Sequence, residues 1–199
     1  MPNSCQQLRR VFVILLLTQS ISTAWAHTAA NSVDGFLSGF THPLYGWDHV
    51  AAMIAVGILG AFLGRPAIWV LPVIFPIVMA FGAVLGILGV TLPGIEPGIA
   101  LSSIVLGSLI VLAIRPPLWV AAILVAGFAI FHGYAHGVEL PNAANPLTYS
   151  LGFVLSTGLL HLFGIAIGEL IRWPWGKIVA RTAGGIIALT GVGFLTGVL

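Results

Sequence analysis

The stretch Ala67-Ile-Trp-Val-Leu-Pro-Val-Ile-Phe-Pro-Ile-Val-Met-Ala-Phe-Gly-Ala-Val-Leu-Gly-Ile-Leu-Gly-Val-Thr91 decides the fold. It carries no charged side chain. At ~1.5 Å per residue it is long enough, as a helix, to cross the ~30 Å hydrocarbon core of a bilayer. Backbone groups in lipid need internal partners, and a helix supplies them within one segment. Pro72 and Pro76 are expected to kink it, either as a packing detail or as a hinge. Similar apolar stretches fill the rest of the chain. With the first, they lie near 46–64, 67–91, 97–114, 118–137, 147–171 and 178–198. The breaks between them are short and rich in Pro, Gly or charge: Gly64-Arg65-Pro66, Pro93 to Pro97, Arg115-Pro116-Pro117, Glu139 to Pro146, and Arg172 to Lys177.

Composition agrees. The 199 residues are 59% hydrophobic and only 6% charged, with a mean hydropathy of +1.11. Soluble domains carry about 25% charged residues, so this chain needs an apolar solvent. Residues 1–26 read as a cleavable signal peptide. Arg9-Arg10 form its basic region, Val11 to Leu17 its apolar core, and Ala24-Trp25-Ala26 the cleavage site. The alternative is an uncleaved first span, which the short apolar run and Thr18-Gln19-Ser20 disfavour. The expected fold is therefore an all-α membrane protein. A single transporter-sized domain, residues 27–199, forms a bundle of six transmembrane helices after the signal.

The remaining basic residues, Arg65, Arg115, Arg172, Lys177 and Arg181, all fall in or beside the first, third and fifth connections. By the positive-inside rule those connections are cytoplasmic, which puts both mature termini in the periplasm and the chain in the inner membrane. The formal charge of +2 includes Arg9 and Arg10. Without them bases and acids balance, so no nucleic-acid partner is expected. Cys5, the one cysteine, lies in the signal, and the mature chain then has no thiol ligand. The pairs Gly60/Gly64, Gly82/Gly86, Gly133/Gly137, Gly164/Gly168 and Gly193/Gly197 have the spacing that lets membrane helices approach closely.

The ionisable residues are concentrated. His42, Asp48 and His49 lie at the start of the first segment, and His132, His136 and Glu139 at the end of the fourth. Ionisable groups in a membrane cost at least ~2.5–3.5 kcal/mol each at a helix centre, which makes each a functional candidate. Both clusters belong to the same, outer half of the membrane in the expected topology. His132, His136 and Glu139 are spaced i, i+4, i+7 and share a helix face. His42 and His49 share one too, if the helix runs through Pro43 and Gly46. Asp48 is then either a direct ligand or the acceptor that orients a histidine. Glu139 is either a ligand or a solvated loop acid.

Such a nitrogen and oxygen donor set suits Ni²⁺, Co²⁺, Zn²⁺ or Fe²⁺ and disfavours Cu(I). Acid should weaken binding, because a protonated imidazole is no ligand. His161, midway along the fifth segment, is either an inner relay or a packing residue. His27, as the mature N-terminus, would offer an amine and an imidazole together. Glu169 precedes Arg172 by three residues and is expected to pair with it. Glu96 stands on the outer side and either attracts cations or is merely solvated.

His42-Pro-Leu-Tyr-Gly-Trp-Asp48-His49 resembles the first-helix signature of the HupE/UreJ proteins, and Phe131-His132-Gly-Tyr-Ala-His136-Gly-Val-Glu139 resembles their fourth-helix signature. The resemblance extends to the leader and the six spans. It implies a secondary transporter of nickel, and in some members cobalt, with His42, Asp48, His49, His132, His136 and Glu139 handling the metal. No prosthetic group and no enzyme activity are implied. The ion is the cargo, the lipid bilayer the other partner, and a homo-oligomer is compatible with the pattern.

Three rivals remain on the residues alone: a haem-binding electron-transfer protein, an intramembrane metallohydrolase, and a metal sensor or accessory protein. The hydrolase motif His-Glu-x-x-His is missing, because Gly133-Tyr134-Ala135 separates the two histidines. Gly176-Lys177 lacks the rest of a phosphate-binding loop, so ATP coupling is not expected.

Overall fold

The computed structural model describes residues 35–139 and 145–199. The predicted signal peptide and His27 lie outside the described residues. Those described form seven α-helices: α1 (Gly35–Tyr45), α2 (Trp47–Leu63), α3 (Ala67–Ile87), α4 (Ile95–Val111), α5 (Leu118–Val138), α6 (Pro146–Glu169) and α7 (Pro174–Thr196). A 3₁₀ turn, Leu170–Arg172, follows α6. No strand occurs among the described residues.

Each apolar segment predicted from the sequence coincides with one helix from α2 to α7. On length and composition α3, α5, α7 and α6 with its 3₁₀ tail can each cross a membrane alone. α1 and α2 qualify only together, across an 83° bend, and α4 is shorter, at 17 residues. The chain is thus a multi-pass helical membrane protein.

α2 is the axial helix. Ala52, Met53, Ala55, Val56, Ile58 and Leu59 have no exposed surface. The others surround it, with α3 on α5, α4 on α7 and α2 on α6 as the closest pairs. The outer helices divide by periodicity. On α3, Leu71, Phe75, Met79, Gly82 and Gly86 face inward, while Trp69, Val73, Ile77 and Phe81 face out. In water that outer stripe would be a liability; in lipid it is the solvated face.

Glycine sets how near the helices come. A Cβ at Gly133 would run into the carbonyl oxygen of Met79, and one at Gly137 into that of Ala83. From the opposite side, Gly82 faces the Ile130 carbonyl. The α3–α5 seam is therefore a backbone-to-backbone contact, as small-residue spacing implied. Gly164 packs likewise on the Ile54 carbonyl of α2. Two expected packing glycines do something else. Gly64 (φ 82°) and Gly197 (φ 69°) have nothing nearby and end their helices in positive φ. Pro72 and Pro76 both sit inside the unbroken α3. Asn145 starts α6, its side-chain oxygen accepting from the Leu147 and Thr148 amides.

The two ends of the bundle differ chemically. At one end Arg115 lies over the Phe62 ring, 4.6 Å from its centroid, and Arg181 Nε donates to the Val111 carbonyl at 2.8 Å. Arg172 pairs with Glu169 there, as expected. The histidine clusters occupy the other end, where α2 begins and α5 finishes.

Candidate metal centre

Sequence reading put His42 and His49 on one face only if the helix ran through Pro43 and Gly46, and it does not. The helix breaks at Gly46, which is extended (φ −89°, ψ 101°), and α1 turns through 83° onto α6. A β-carbon at Gly46 would stand 2.9 Å from Asp48 Oδ1 and 3.1 Å from His49 Nδ1, so a larger residue would crowd that pair. Small residues also seat α1, since a Cβ at Gly39 would meet the Tyr149 carbonyl and one at Gly152 that of Phe36. The bend brings His42 over the end of α5, which a straight helix would not do.

The two clusters form one site. Imidazole ring centroids follow each other at 4.9 Å (His42 to His136), 4.3 Å (His136 to His49) and 4.6 Å (His49 to His132). Glu139 Oε2 lies 3.3 Å from His42 Nε2. Donor atoms of His42, His136 and Glu139 all stand within 4.8 Å of one another. Two donors on one ion at ~2.1 Å are at most about 4.2 Å apart, so a small closure would let these three share a cation. A cleft of about 240 Å³ opens onto His42, His49, His136 and Glu139, with Glu96 and Tyr45 also on its wall. Glu96 is thus at the mouth of the site and exposed there.

Local hydrogen bonds fix which nitrogens are free. Asp48 Oδ1 accepts from the His49 amide at 2.8 Å and lies 2.9 Å from His49 Nδ1. A carboxylate only accepts, so Nδ1 carries the proton and the Nε2 lone pair is available. Asp48 is therefore placed to hold the His49 ring. Ser102 on α4 plays the same part for His132. Its hydroxyl lies 2.6 Å from the Ile99 carbonyl and 3.0 Å from His132 Nε2. With the hydroxyl proton on Ile99, the ring donates to Ser102 and His132 Nδ1 keeps the lone pair. His49 Nε2, His132 Nδ1 and both nitrogens of His136 are buried without a hydrogen-bond partner among the described residues. Leaving so many buried nitrogens unpaired costs about 1–3 kcal/mol each. A cation bound by one nitrogen of His136 with His42 and Glu139 would satisfy part of this set.

Sequence reading missed Ser102, Phe75, Tyr149 and Phe153. Tyr149 meets His42 edge-on and Phe153 meets it tilted, with centroids at 5.9 and 6.3 Å, and Phe153 also touches the His136 ring at 4.3 Å. Phe75 lies 5.5 Å from His132. These residues sit in ordinary helix sequence, and only the arrangement of helices reveals them. His161 is buried on α6, apart from this site, with its Nε2 unpartnered.

Comparison with known proteins places the chain in a family. Residues 14–194 match the family model described as HupE / UreJ protein. The chain is 46% identical over 176 residues to Protein HupE of Rhizobium leguminosarum bv. viciae, covering 88% of this chain and 92% of that one. No solved structure matches.

Proposed function

Since the chain belongs to the HupE/UreJ family, we propose that it imports a divalent transition-metal ion, nickel or cobalt, through the His42–Asp48–His49–His132–His136–Glu139 site. The observation that carries this reading is the unbroken run of four touching imidazoles, ending in a cleft beside Glu139. An ion entering the cleft meets Glu139, His42 and His136 first. His49 reaches both α5 histidines and hands the ion inward to His132. Carboxylate and imidazole replace water one ligand at a time, so no step exposes a bare ion to the apolar bundle.

The gathering of basic residues at the opposite end supports an orientation with that end cytoplasmic, the histidine end periplasmic, and both mature termini outside. In this reading six helices cross an inner membrane after a cleaved signal, with α1 and α2 as one bent crossing. His27 would then lie on the side from which the ion arrives, as a first capture point. Moving one charge through 100 mV is worth about 2.3 kcal/mol, and a divalent ion gains roughly twice that on entering a negative cytoplasm. Import on this scheme needs no ATP. The haem reading loses support from the same geometry, because ring centroids 4.3–4.9 Å apart leave no porphyrin-wide gap between facing histidines.

Uptake of radioactive nickel and cobalt by cells expressing the chain tests the proposal. The double variant His132→Ala, His136→Ala is expected to bring uptake of the preferred ion to background at matched membrane levels. Uptake that persists in the double variant would reject the site.

A further inference from the structure

We propose that His161 forms a second, inner metal position on the route, separated from the outer cluster by the Phe75 ring. The inference rests on the transport reading above and extends it to the half of the bundle that the outer site does not reach.

The run of rings does not stop at His132. Phe75 of α3 lies 5.5 Å from His132 on one side and 5.5 Å from His161 on the other. Depth can be counted along two helices independently. On α6, Phe153 touches the outer histidines and His161 follows eight residues later, about 12 Å further in. On α2, Gly57 packs against the His161 carbonyl and lies eight residues after His49, again about 12 Å. Both counts put His161 in the dry middle of the bundle.

Its surroundings do not explain its polarity. His161 is 2% exposed, and its Nε2 has no partner among the described residues. Thr157, one turn earlier on the same face, is fully buried, and its hydroxyl is also without one. A packing role would be filled better by an apolar side chain of similar size, since an unpaired buried polar group is destabilising.

The cargo supplies a reason for the polarity. An isolated ion in an apolar interior is strongly unfavourable, so an ion leaving His132 needs another ligand before the inner end. Among the described residues, the other His, Asp or Glu side chain inward of His132 is Glu169, and Arg172 already holds it. His161 with the Thr157 hydroxyl is the station that the ion can reach. The Phe75 ring between the two histidines keeps water and the ion from running through continuously.

The test compares His161→Leu and His161→Gln with wild type at matched membrane levels. Two readouts are taken: cobalt(II) binding by the purified full chain, followed by its visible spectrum, and nickel uptake by cells. Both variants are expected to keep the cobalt spectrum of the outer site. Their nickel uptake is expected to fall roughly 10–100-fold, as for loss of a ligand-supporting group. Uptake at the wild-type rate in either variant would overturn the inner position. Loss of the outer-site spectrum in both would assign His161 to packing and overturn it as well. Failure of the wild type to take up either metal would instead reject the transport reading itself.

Discussion

Alanine at His49 is expected to abolish metal uptake while leaving the protein in the membrane at its normal level. His49 is the one imidazole in contact with both α5 histidines, at 4.3 and 4.6 Å. It also belongs to the central helix, so it joins the mouth of the site to its inner part. Removing it opens the run in the middle and leaves two separate fragments, each with too few donors to pass an ion on. The backbone there is held by helix packing, through the buried Ala51, Ala52 and Met53 that follow His49 on α2. Uptake of radioactive nickel at matched protein level checks this, and uptake near the wild-type rate would contradict it. Asp48→Asn is the graded companion. It keeps a hydrogen-bond acceptor near Nδ1 but removes the charge that fixes the tautomer, so metal affinity is expected to fall roughly 10–100-fold rather than vanish.

The second large effect is structural. Gly133→Leu should prevent the protein from accumulating as a folded species. The glycine lies directly against the Met79 carbonyl, and a leucine there has no flexible neighbour to displace. α3 and α5 would have to part along their whole seam, at a cost of at least ~3 kcal/mol. Separation would also move His132 and His136, which flank that glycine. Gly127→Leu on the same helix is the control, because nothing lies within 4 Å of a Cβ there. It is expected to change stability by no more than about 0.5 kcal/mol. Membrane yield and the thermal midpoint in detergent measure both. A Gly133→Leu variant that accumulates with an unchanged midpoint would contradict the backbone-contact description of the seam.

Much of this was legible in the chain. Uninterrupted apolar runs broken by Pro, Gly and Arg set the helices, since lipid leaves a long apolar run few other ways to satisfy its backbone. The concentration of His and acidic residues at two places marked the site, because a membrane makes each of them costly. The i, i+4, i+7 pattern put His132, His136 and Glu139 on one helix face, and of these His136 and Glu139 have donor atoms within 4.8 Å of each other. The bend at Gly46 was harder to read. Pro43 and Gly46 signal a possible break, but helix periodicity gives the same His42–His49 alignment either way, and the direction of the turn comes from glycine contacts with α6. Roles set by partners on other helices were invisible: Ser102 fixing His132, Phe75 lying between His132 and His161, and Phe153 against His136. Asp48 had two open roles, and its 2.9 Å contact to His49 Nδ1 was not readable from the spacing. Nothing in the spacing showed that Gly64 and Gly197 cap helices instead of joining them.

The most direct measurement uses the purified chain in sealed liposomes, with nickel outside and an inside-negative potential set by a potassium gradient and valinomycin. The expected result is nickel accumulation that grows with the imposed potential, requires no ATP, and is lost with His49→Ala. Liposomes that hold folded wild-type protein, bind nickel, and yet accumulate none above protein-free vesicles at any potential would contradict transport and leave a metal-binding membrane protein in its place.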